Sequence, residues 1–287
     1  IHFSQYLCYY HLYIKYWWTV QKYNALQGRF MSYMSNDDEE ALRRKEYLVV
    51  KSNRLIQKSR FELSLPEQKT IAYICSLIKP INPADAVAGV PYQLEYEFNV
   101  REYCKVCGID EDNGKNYSNI KNILKGLRDK SMWITLPNGE TTTLSWLSKA
   151  TISKGSGHVR IVLDPDMVPY LFNLKTEFVA YQLMYVTQMQ SKFSPRLYEL
   201  FRSYAWQKNI CFELDELKHL LMIEDKKSYE RFPDFRRFVL EPAVREVNDF
   251  TDIQVEFEFV KKGRKVTHIK FKIQEYRSII MRHNDNV

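Results

Sequence analysis

The chain has 287 residues, 45% of them hydrophobic, and a formal net charge of +7 from 42 lysines and arginines against 35 aspartates and glutamates. Its 20 tyrosines and 16 phenylalanines exclude a disordered chain, and its length suits one large domain or two ordinary ones. Five scattered cysteines, an odd number, argue against a disulfide framework and indicate a reducing, cytoplasmic compartment. Because no run of eighteen apolar residues occurs, we expect no membrane partner.

Residues 1–46 are predicted to form an N-terminal extension that is poorly ordered or non-native. Residues 1–30 are rich in aromatic side chains, fit neither a helical nor a strand period, and contain no signal-peptide cleavage site. Met31 and Met34 precede an ordinary polar leader. We therefore expect residues 1–30 to be translated upstream DNA, with the natural start at Met31 or Met34.

Residues 47–175 are predicted to form a first module, which opens with a short strand and a capped helix. Ser64 and Glu67 form a capping box, and Pro66 stands in the first turn of a helix that ends near Pro80. The later predicted elements of this module are a strand over 92–100, helices over 100–107 and 116–131, a hairpin around 137–139, a strand pair turning at 155–157 and a short helix over 167–174.

Residues 176–287 repeat the order helix, strand, helix, helix, hairpin, and form a second predicted module. Its first helix is capped by Ser194 and has Pro195 at its first position. The later predicted elements are a strand over 209–213, a helix over 214–223, a longer helix over 228–251 and a hairpin over 253–273. The shared order predicts an internal structural repeat.

Three helices followed by a two-stranded hairpin are the elements of the winged helix. The sequence therefore predicts an α+β fold of two tandem winged-helix domains related by a pseudo-repeat. In this fold the third helix enters the major groove of double-stranded DNA, where base edges are distinct, and the hairpin, or wing, contacts phosphates.

The second module carries the main candidate DNA-binding residues, which are cations and one serine at the start of its third helix and on its wing. They are Lys226, Lys227, Ser228, Arg231, Arg236, Arg237, Lys261, Lys262, Arg264 and Lys265. Arg236 and Arg237 project about 100° apart and cannot both face the core. The alternative is an ordinary solvated face, on which Glu230 and Glu241 pair with these arginines.

The same helix has a predicted apolar face and a predicted irregularity. The apolar face consists of Phe235, Phe238, Val239, Ala243 and Val247. Pro242 stands in the middle of the helix and is expected to kink it or to mark a break.

The first module carries a weaker, auxiliary set of candidate DNA-binding residues along its third helix. They are Lys115, Lys121, Lys125 and Arg128. They are spread along the helix, and the hairpin tip PNGE is uncharged to acidic. This pattern suits phosphate contact or a protein interface better than base reading.

The sequence contains no pattern typical of a catalytic site, and we expect neither a cofactor nor a metal. Cys104 and Cys107 form one C-x-x-C without a second ligand pair, so two half-buried thiols on a short helix are expected. The six histidines are isolated, unlike the paired histidines of rolling-circle nucleases, and no phosphate-binding P-loop motif occurs. The chain is therefore predicted not to be an enzyme.

Two long segments resemble a known family. YLVVKSNRLIQKSRFELSLPEQKTIAYICSLIKP is similar to the opening signature of the theta-type, iteron-binding plasmid replication initiators. The segment from SPRLYELFRSYAWQ through FRRFVLEPA to KKGRKV and IKFKI looks like the C-terminal winged helix of the same family. The resemblance covers residues from about 47 to 273.

The resemblance implies a function and a set of partners. It implies that the monomer, as in other members of that family, binds direct repeats, or iterons, at a plasmid origin. It also implies that the dimer, joined mainly through the N-terminal module, represses its own promoter at an inverted repeat. Carried over, the recognition helix spans 228–248 and the wing 261–265, while host proteins such as the helicase are contacted by the first module. The remaining alternative is a winged-helix transcriptional regulator without a role in replication.

Overall fold

The structure is a computed structural model, and it describes residues 47–78, 91–109, 115–153, 155–172, 174 and 176–275. The side chains of residues 115–117 are outside this description. The predicted extension 1–46, with its proposed start at Met31 or Met34, lies outside the described residues.

The first module contains the predicted elements with a few short additions. In chain order they are β1 (Leu48–Ser52), α1 (Asn53–Lys58), β2 (Ser59–Arg60), α2 (Leu65–Leu77), β3 (Glu95–Asn99), α3 (Val100–Cys107), α4 (Lys115–Asp129), β4 (Ser131–Thr135), β5 (Thr141–Ser145), β6 (Leu147–Ile152), β7 (His158–Leu163) and α5 (Val168–Leu171). The three main helices are α2, α3 and α4, and β4–β5 is the hairpin that follows them.

The second module repeats the order. Its elements are β8 (Phe178–Gln182), α6 (Leu183–Thr187), α7 (Ser194–Ser203), β9 (Asn209–Glu213), α8 (Leu214–Leu220), α9 (Phe232–Phe235), a π-helical turn (Arg236–Leu240), α10 (Glu241–Phe250), β10 (Ile253–Lys262) and β11 (Lys265–Glu275). Because α9, the π turn and α10 are continuous, we refer to them together as the 232–250 helix.

Local sequence signals explain where the main helices begin. Ser64 Oγ accepts the backbone N–H of Glu67, and the Glu67 carboxylate accepts the N–H of Ser64, so the predicted capping box of α2 is confirmed. The expected cap of α7 is wrong, because the helix starts at Ser194 itself. The Ser194 hydroxyl donates to Glu246 of α10 at 2.6 Å, and the same carboxylate accepts the N–H of Ser191.

The two modules share element order but differ in strand pairing. In the second module β11 pairs with both β10 and β9, so the wing is part of a three-stranded sheet with the strand between the first two helices. In the first module β4 pairs with β5 and with the two-residue β2, whereas β3 pairs with β7 in a separate sheet. The repeat is therefore one of order and not of hydrogen-bond register.

Helix α7 connects the two modules through buried polar contacts. Lys51 Nζ of β1 lies 2.7 Å from Glu199 Oε1, and the Tyr181 hydroxyl donates to the same carboxylate at 2.5 Å. Arg196 donates to the carbonyl of Ser59 at 2.7 Å, and burial lowers the pKa of this guanidinium to about 10. The predicted module boundary between residues 175 and 176 stays a prediction; β8, which follows it, pairs with β1.

Candidate nucleic-acid interface

The wing ends in a two-residue turn, Gly263 and Arg264. Gly263 has φ of 62°, which only glycine adopts without strain and which a hairpin turn of this length requires. Lys262 pairs with Lys265 across the turn, and a register shift lies between Val260 and Lys261. The turn therefore closes on four exposed cations, two before the glycine and two after it.

The charges at the tip differ from those of the stem. Lys270 lies 3.4 Å from Glu258 and Lys272 lies 3.4 Å from Glu256, so the stem is neutralised across the strands. Within the described part of the chain, no ion pair joins a carboxylate to any of the four tip cations, which are Lys261, Lys262, Arg264 and Lys265. The positive charge of the wing is thus concentrated at its end.

Aromatic contacts attach the wing to the helix before it. The rings of Phe232 and Phe259 are 4.9 Å apart in an edge-to-face arrangement, and Phe257 lies 5.4 Å from Phe259. Burial lowers the pKa of Lys218 on α8, and the nearby Lys265 of the wing adds to that effect. The ring contacts therefore hold the first strand of the wing against the start of the 232–250 helix.

The 232–250 helix begins later than predicted. The chain forms a 3₁₀ turn at Lys227–Tyr229, and the α-helix starts at Phe232 with Pro233 in its first turn. Proline fixes the backbone angle φ and lacks an N–H, so it suits the first turn of a helix. Ser228 consequently lies outside the helix, in contrast to the predicted start at residue 228.

Pro242 is accommodated by a change of helix type instead of a break. The N–H of Glu241 donates to the carbonyl of Arg236, five residues back, and the turn Arg236–Leu240 is π-helical. Pro242 has no N–H for the carbonyl four residues before it, and its ring would clash there in a regular α-helix. The wider turn relieves this conflict, and the helix continues to Phe250.

The π turn also corrects the predicted apolar face. Phe238 is 53% exposed, so its assignment to the core face is wrong. The buried face consists of Phe235, Val239, Leu240, Ala243, Val244 and Val247. A π turn takes more residues to close than an α turn, so the third residue after Phe235 does not return to the face of Phe235. The fourth and fifth residues do so instead.

The two adjacent arginines have different surroundings. Arg236 Nε donates to Glu241 at 2.7 Å, and its guanidinium lies 5.3 Å from the ring centre of Phe259. Arg237 lies 5.1 Å from the ring centre of Phe238, and no carboxylate among the described residues forms an ion pair with it. The alternative of a fully paired surface therefore applies to Arg236 and not to Arg237.

The remaining predicted residues at the helix start are partly engaged in other contacts. Lys226 forms an ion pair with Glu62 of the first module, and this contact lowers the pKa of Glu62. Beside it, Arg60 pairs with Glu224. Arg231 Nε lies 3.7 Å from Asp234 and is largely exposed. Lys226 thus lies at the junction of the modules, while Lys227 and Ser228 are exposed in the 3₁₀ turn.

Comparison with known families finds two matches, the first of which extends past residue 175 into α7. Residues 48–202 match the model described as Initiator Replication protein, WH1, and residues 213–273 match the model described as Initiator Rep protein, WH2. The chain belongs to the initiator replication protein family. The resemblance expected from the two sequence signatures is confirmed, and so is the fold of two tandem winged-helix domains.

Individual relatives of this initiator family member agree. A replication initiation protein from Escherichia coli is 27% identical over 237 residues, covering 80% of this chain and 70% of the relative. The PI protein from Escherichia coli is 28% identical over 147 residues, covering 45% of this chain and 47% of that protein. The crystal structure of Pi initiator protein in complex with iteron DNA superposes with a TM-score of 0.61 at 22% identity, covering 80% of this chain and 97% of that one.

The auxiliary cations of this initiator lie on α4 in the WH1 match. Lys121 is exposed; Lys125 and Arg128 approach Asp129 at 4.0 Å and 3.2 Å, respectively. Arg128 Nε also donates to the carbonyl of Ser148 at 3.4 Å. The side chain of Lys115 lies outside the described residues. These contacts leave Lys121 as the cation on this helix without an ion pair among the described side chains.

The remaining expectations concern the C-x-x-C pair, metal ligands and membrane spans. Cys104 and Cys107 are buried rather than half-buried, because α3 packs its cysteine face against the core. No cluster of three or more His, Cys, Asp or Glu side chains suited to a metal occurs within residues 47–275 as far as they are described. None of the described helices is long and apolar enough to cross a membrane.

Proposed function

We propose that this initiator binds double-stranded DNA at the direct repeats of a plasmid origin. The observation that carries the proposal is the concentration of cations without ion-pair partners at the wing tip and at Arg237, on the two elements that a winged helix places against DNA. Lys and Arg that neutralise phosphates supply most of the affinity for DNA, and carboxylate-paired cations supply less. The solved complex of the Pi initiator with iteron DNA supports the same use of the fold.

The candidate residues divide into three proposed roles. The four wing-tip cations contact the phosphates of the DNA backbone on both sides of a groove; they are Lys261, Lys262, Arg264 and Lys265. Arg236 and Arg237 reach base edges, with Arg237 ready to fork onto a guanine and Arg236 held in position by Phe259. The 3₁₀ turn and helix start supply further phosphate contacts through Lys227, Ser228 and Arg231.

The position of Lys226 differs from that of its neighbours. It is engaged with Glu62, so we propose that it contacts a phosphate only after this ion pair opens.

Residues 47–175 act as an auxiliary module, in which Lys121 contacts the DNA backbone and Lys115, Lys125 and Arg128 lie on the same helix. Residues 176–287 act as the main DNA-recognition module.

The mechanism that we propose is non-covalent. Binding at several repeats strains the origin, helps to melt an AT-rich stretch and recruits host replication proteins such as the helicase; the dimer represses its own promoter at an inverted repeat. No bond is cleaved, and no cofactor or metal takes part. In this proposal the protein acts in the bacterial cytoplasm with its plasmid.

A transformation experiment tests this function. The gene and its flanking DNA are cloned on a fragment without any other origin and introduced into a host. Maintenance of the plasmid, and its loss when the repeats are deleted while the gene is kept, supports a replication initiator. Failure to replicate together with repression of a reporter at one palindrome would instead identify a transcriptional regulator.

A further inference from the structure

Phe238 is an apolar side chain on the outer face of the 232–250 helix. Its ring is 53% exposed although it lies between Arg237 and the buried Val239. The other large exposed apolar side chains of the described chain lie on other elements; they are Tyr47, Leu48, Trp133, Phe178 and Trp206. A single exposed aromatic residue is common on protein surfaces, so its meaning depends on its position and neighbours.

The position of Phe238 is fixed by the helix geometry that Pro242 requires. The π turn Arg236–Leu240 puts Phe235, Val239 and Leu240 in the core and leaves Phe238 on the outside with the two arginines. Changes to the ring of Phe238 therefore affect the outer face more than the packing of the helix.

The neighbour of Phe238 adds the second observation. The Arg237 guanidinium lies 5.1 Å from the ring centre, an arrangement in which the ring face holds the cation while its N–H donors stay available. Arginine reads guanine through O6 and N7 in the major groove, whereas the apolar group displayed there is the 5-methyl of thymine. An arginine stacked on a phenylalanine thus presents one donor group and one apolar surface side by side.

We propose that Phe238 contacts the 5-methyl group of a thymine in the base pair next to the one that Arg237 contacts, and so helps to determine the recognised sequence. The proposal rests on the proposed function, because it requires the 232–250 helix to lie in the major groove. It assigns the base preference at one position to an apolar contact, not to a hydrogen bond. Phosphates are not ligands for Phe238, because its ring carries no donor.

Deoxyuridine substitution isolates this contact, because it removes only the methyl group and leaves the base-pairing edge and the O4 acceptor in place. The preferred duplex is selected from a random-sequence library with the full-length protein. Each thymine of that duplex is then replaced singly by deoxyuridine, and the dissociation constant is measured for the wild type, Phe238→Ala and Trp206→Ala. Trp206 is 75% exposed and lies in the turn after α7, so it is the matched exposed-aromatic control.

For the wild type and Trp206→Ala, replacement of one particular thymine by deoxyuridine is expected to lower the affinity about fourfold. This is the effect of no longer burying one methylene-sized group, at ~0.8 kcal/mol. Phe238→Ala is expected to bind the thymine and deoxyuridine duplexes equally at that position. Thermal unfolding of Phe238→Ala should match the wild type, because the ring is half exposed.

Two results would overturn the inference while leaving the proposed function in place. Wild-type protein that binds its selected duplex tightly but tolerates deoxyuridine at every thymine has no methyl contact, whatever the variant does. Equal deoxyuridine effects in the wild type and Phe238→Ala assign the contact to another residue. Selection that yields no preferred duplex would contradict sequence-specific DNA binding itself, and the inference with it.

Discussion

The guanidinium of Arg236 on the 232–250 helix lies 5.3 Å from the ring of Phe259 on the first strand of the wing. The same guanidinium donates to Glu241 one helical turn later, so the side chain is held between the helix and the hairpin. Long arginine side chains lose rotamer freedom when they bind, and a side chain that is already held loses less. We therefore expect Phe259 to hold Arg236 in position for its contact with DNA.

A double-mutant cycle measures this coupling. Arg236→Ala, Phe259→Leu and the double variant are compared in affinity for the selected DNA duplex, and we expect a coupling energy of about 0.5–1 kcal/mol, the size of an exposed cation–π contact. Phe257→Leu is the control, because Phe257 packs on Phe259 but makes no described contact with Arg236. Strictly additive effects of the Arg236 and Phe259 changes would show that the aromatic ring does not position the arginine.

The wing tip is expected to contribute through charge alone. Lys261→Ala and Lys262→Ala should weaken binding to all duplexes similarly and reduce the slope of log affinity against log salt by about 0.9 for each phosphate that is no longer neutralised. Lys270→Ala is the matched control, since Lys270 is an exposed wing lysine already paired with Glu258. The measurement is a DNA-binding titration at several salt concentrations. An unchanged slope of log affinity against log salt in both tip variants would contradict the proposed phosphate contacts.

Arg237 is expected to contribute to discrimination between sequences. The selected duplex is compared with a duplex in which the contacted guanine is replaced. Arg237→Ala should reduce the difference in binding free energy between these two duplexes, by about 1–3 kcal/mol. Arg237→Lys keeps the charge but removes the two-pronged geometry, so it should retain affinity for unrelated DNA while losing the discrimination. Full discrimination in both the alanine and the lysine variant would indicate that Arg237 contacts a phosphate and not a base.

Much of the fold follows from local signals in the sequence. The capping box at Ser64, the alternation of β10 and β11 and the glycine at 263 each act over a few residues, so the predicted order of helices and hairpins is confirmed. The pairing of β3 with β7 does not follow from such signals, because it joins segments about 60 residues apart through backbone hydrogen bonds that leave no residue pattern of their own.

The candidate site is less predictable from the sequence than the fold. A regular helical period puts Phe238 in the core, whereas Pro242 produces a π turn that changes the period locally. The signal is present in the sequence, since a proline inside a helix must disturb the hydrogen bonds before it. The ion pair of Lys226 with Glu62 joins residues 164 positions apart and depends on how the modules pack.

The buried contact between Lys51 and Glu199 should stabilise the packing of α7 against the first module. Only 6% and 8% of their side chains are exposed, so Glu199→Gln leaves a buried ammonium unpaired and removes a charged acceptor from the Tyr181 hydroxyl. We expect the free energy of unfolding to fall by about 3–5 kcal/mol, measured by denaturant titration.

The exposed pair Lys270–Glu258 is the control for this prediction. Breaking it with Glu258→Gln should change the free energy of unfolding by less than about 1 kcal/mol. The double variant Lys51→Met with Glu199→Leu should recover part of that stability, because two apolar side chains need no partner while the buried Tyr181 hydroxyl still lacks its acceptor. A Glu199→Gln protein as stable as the wild type would show that the pair contributes nothing to the junction.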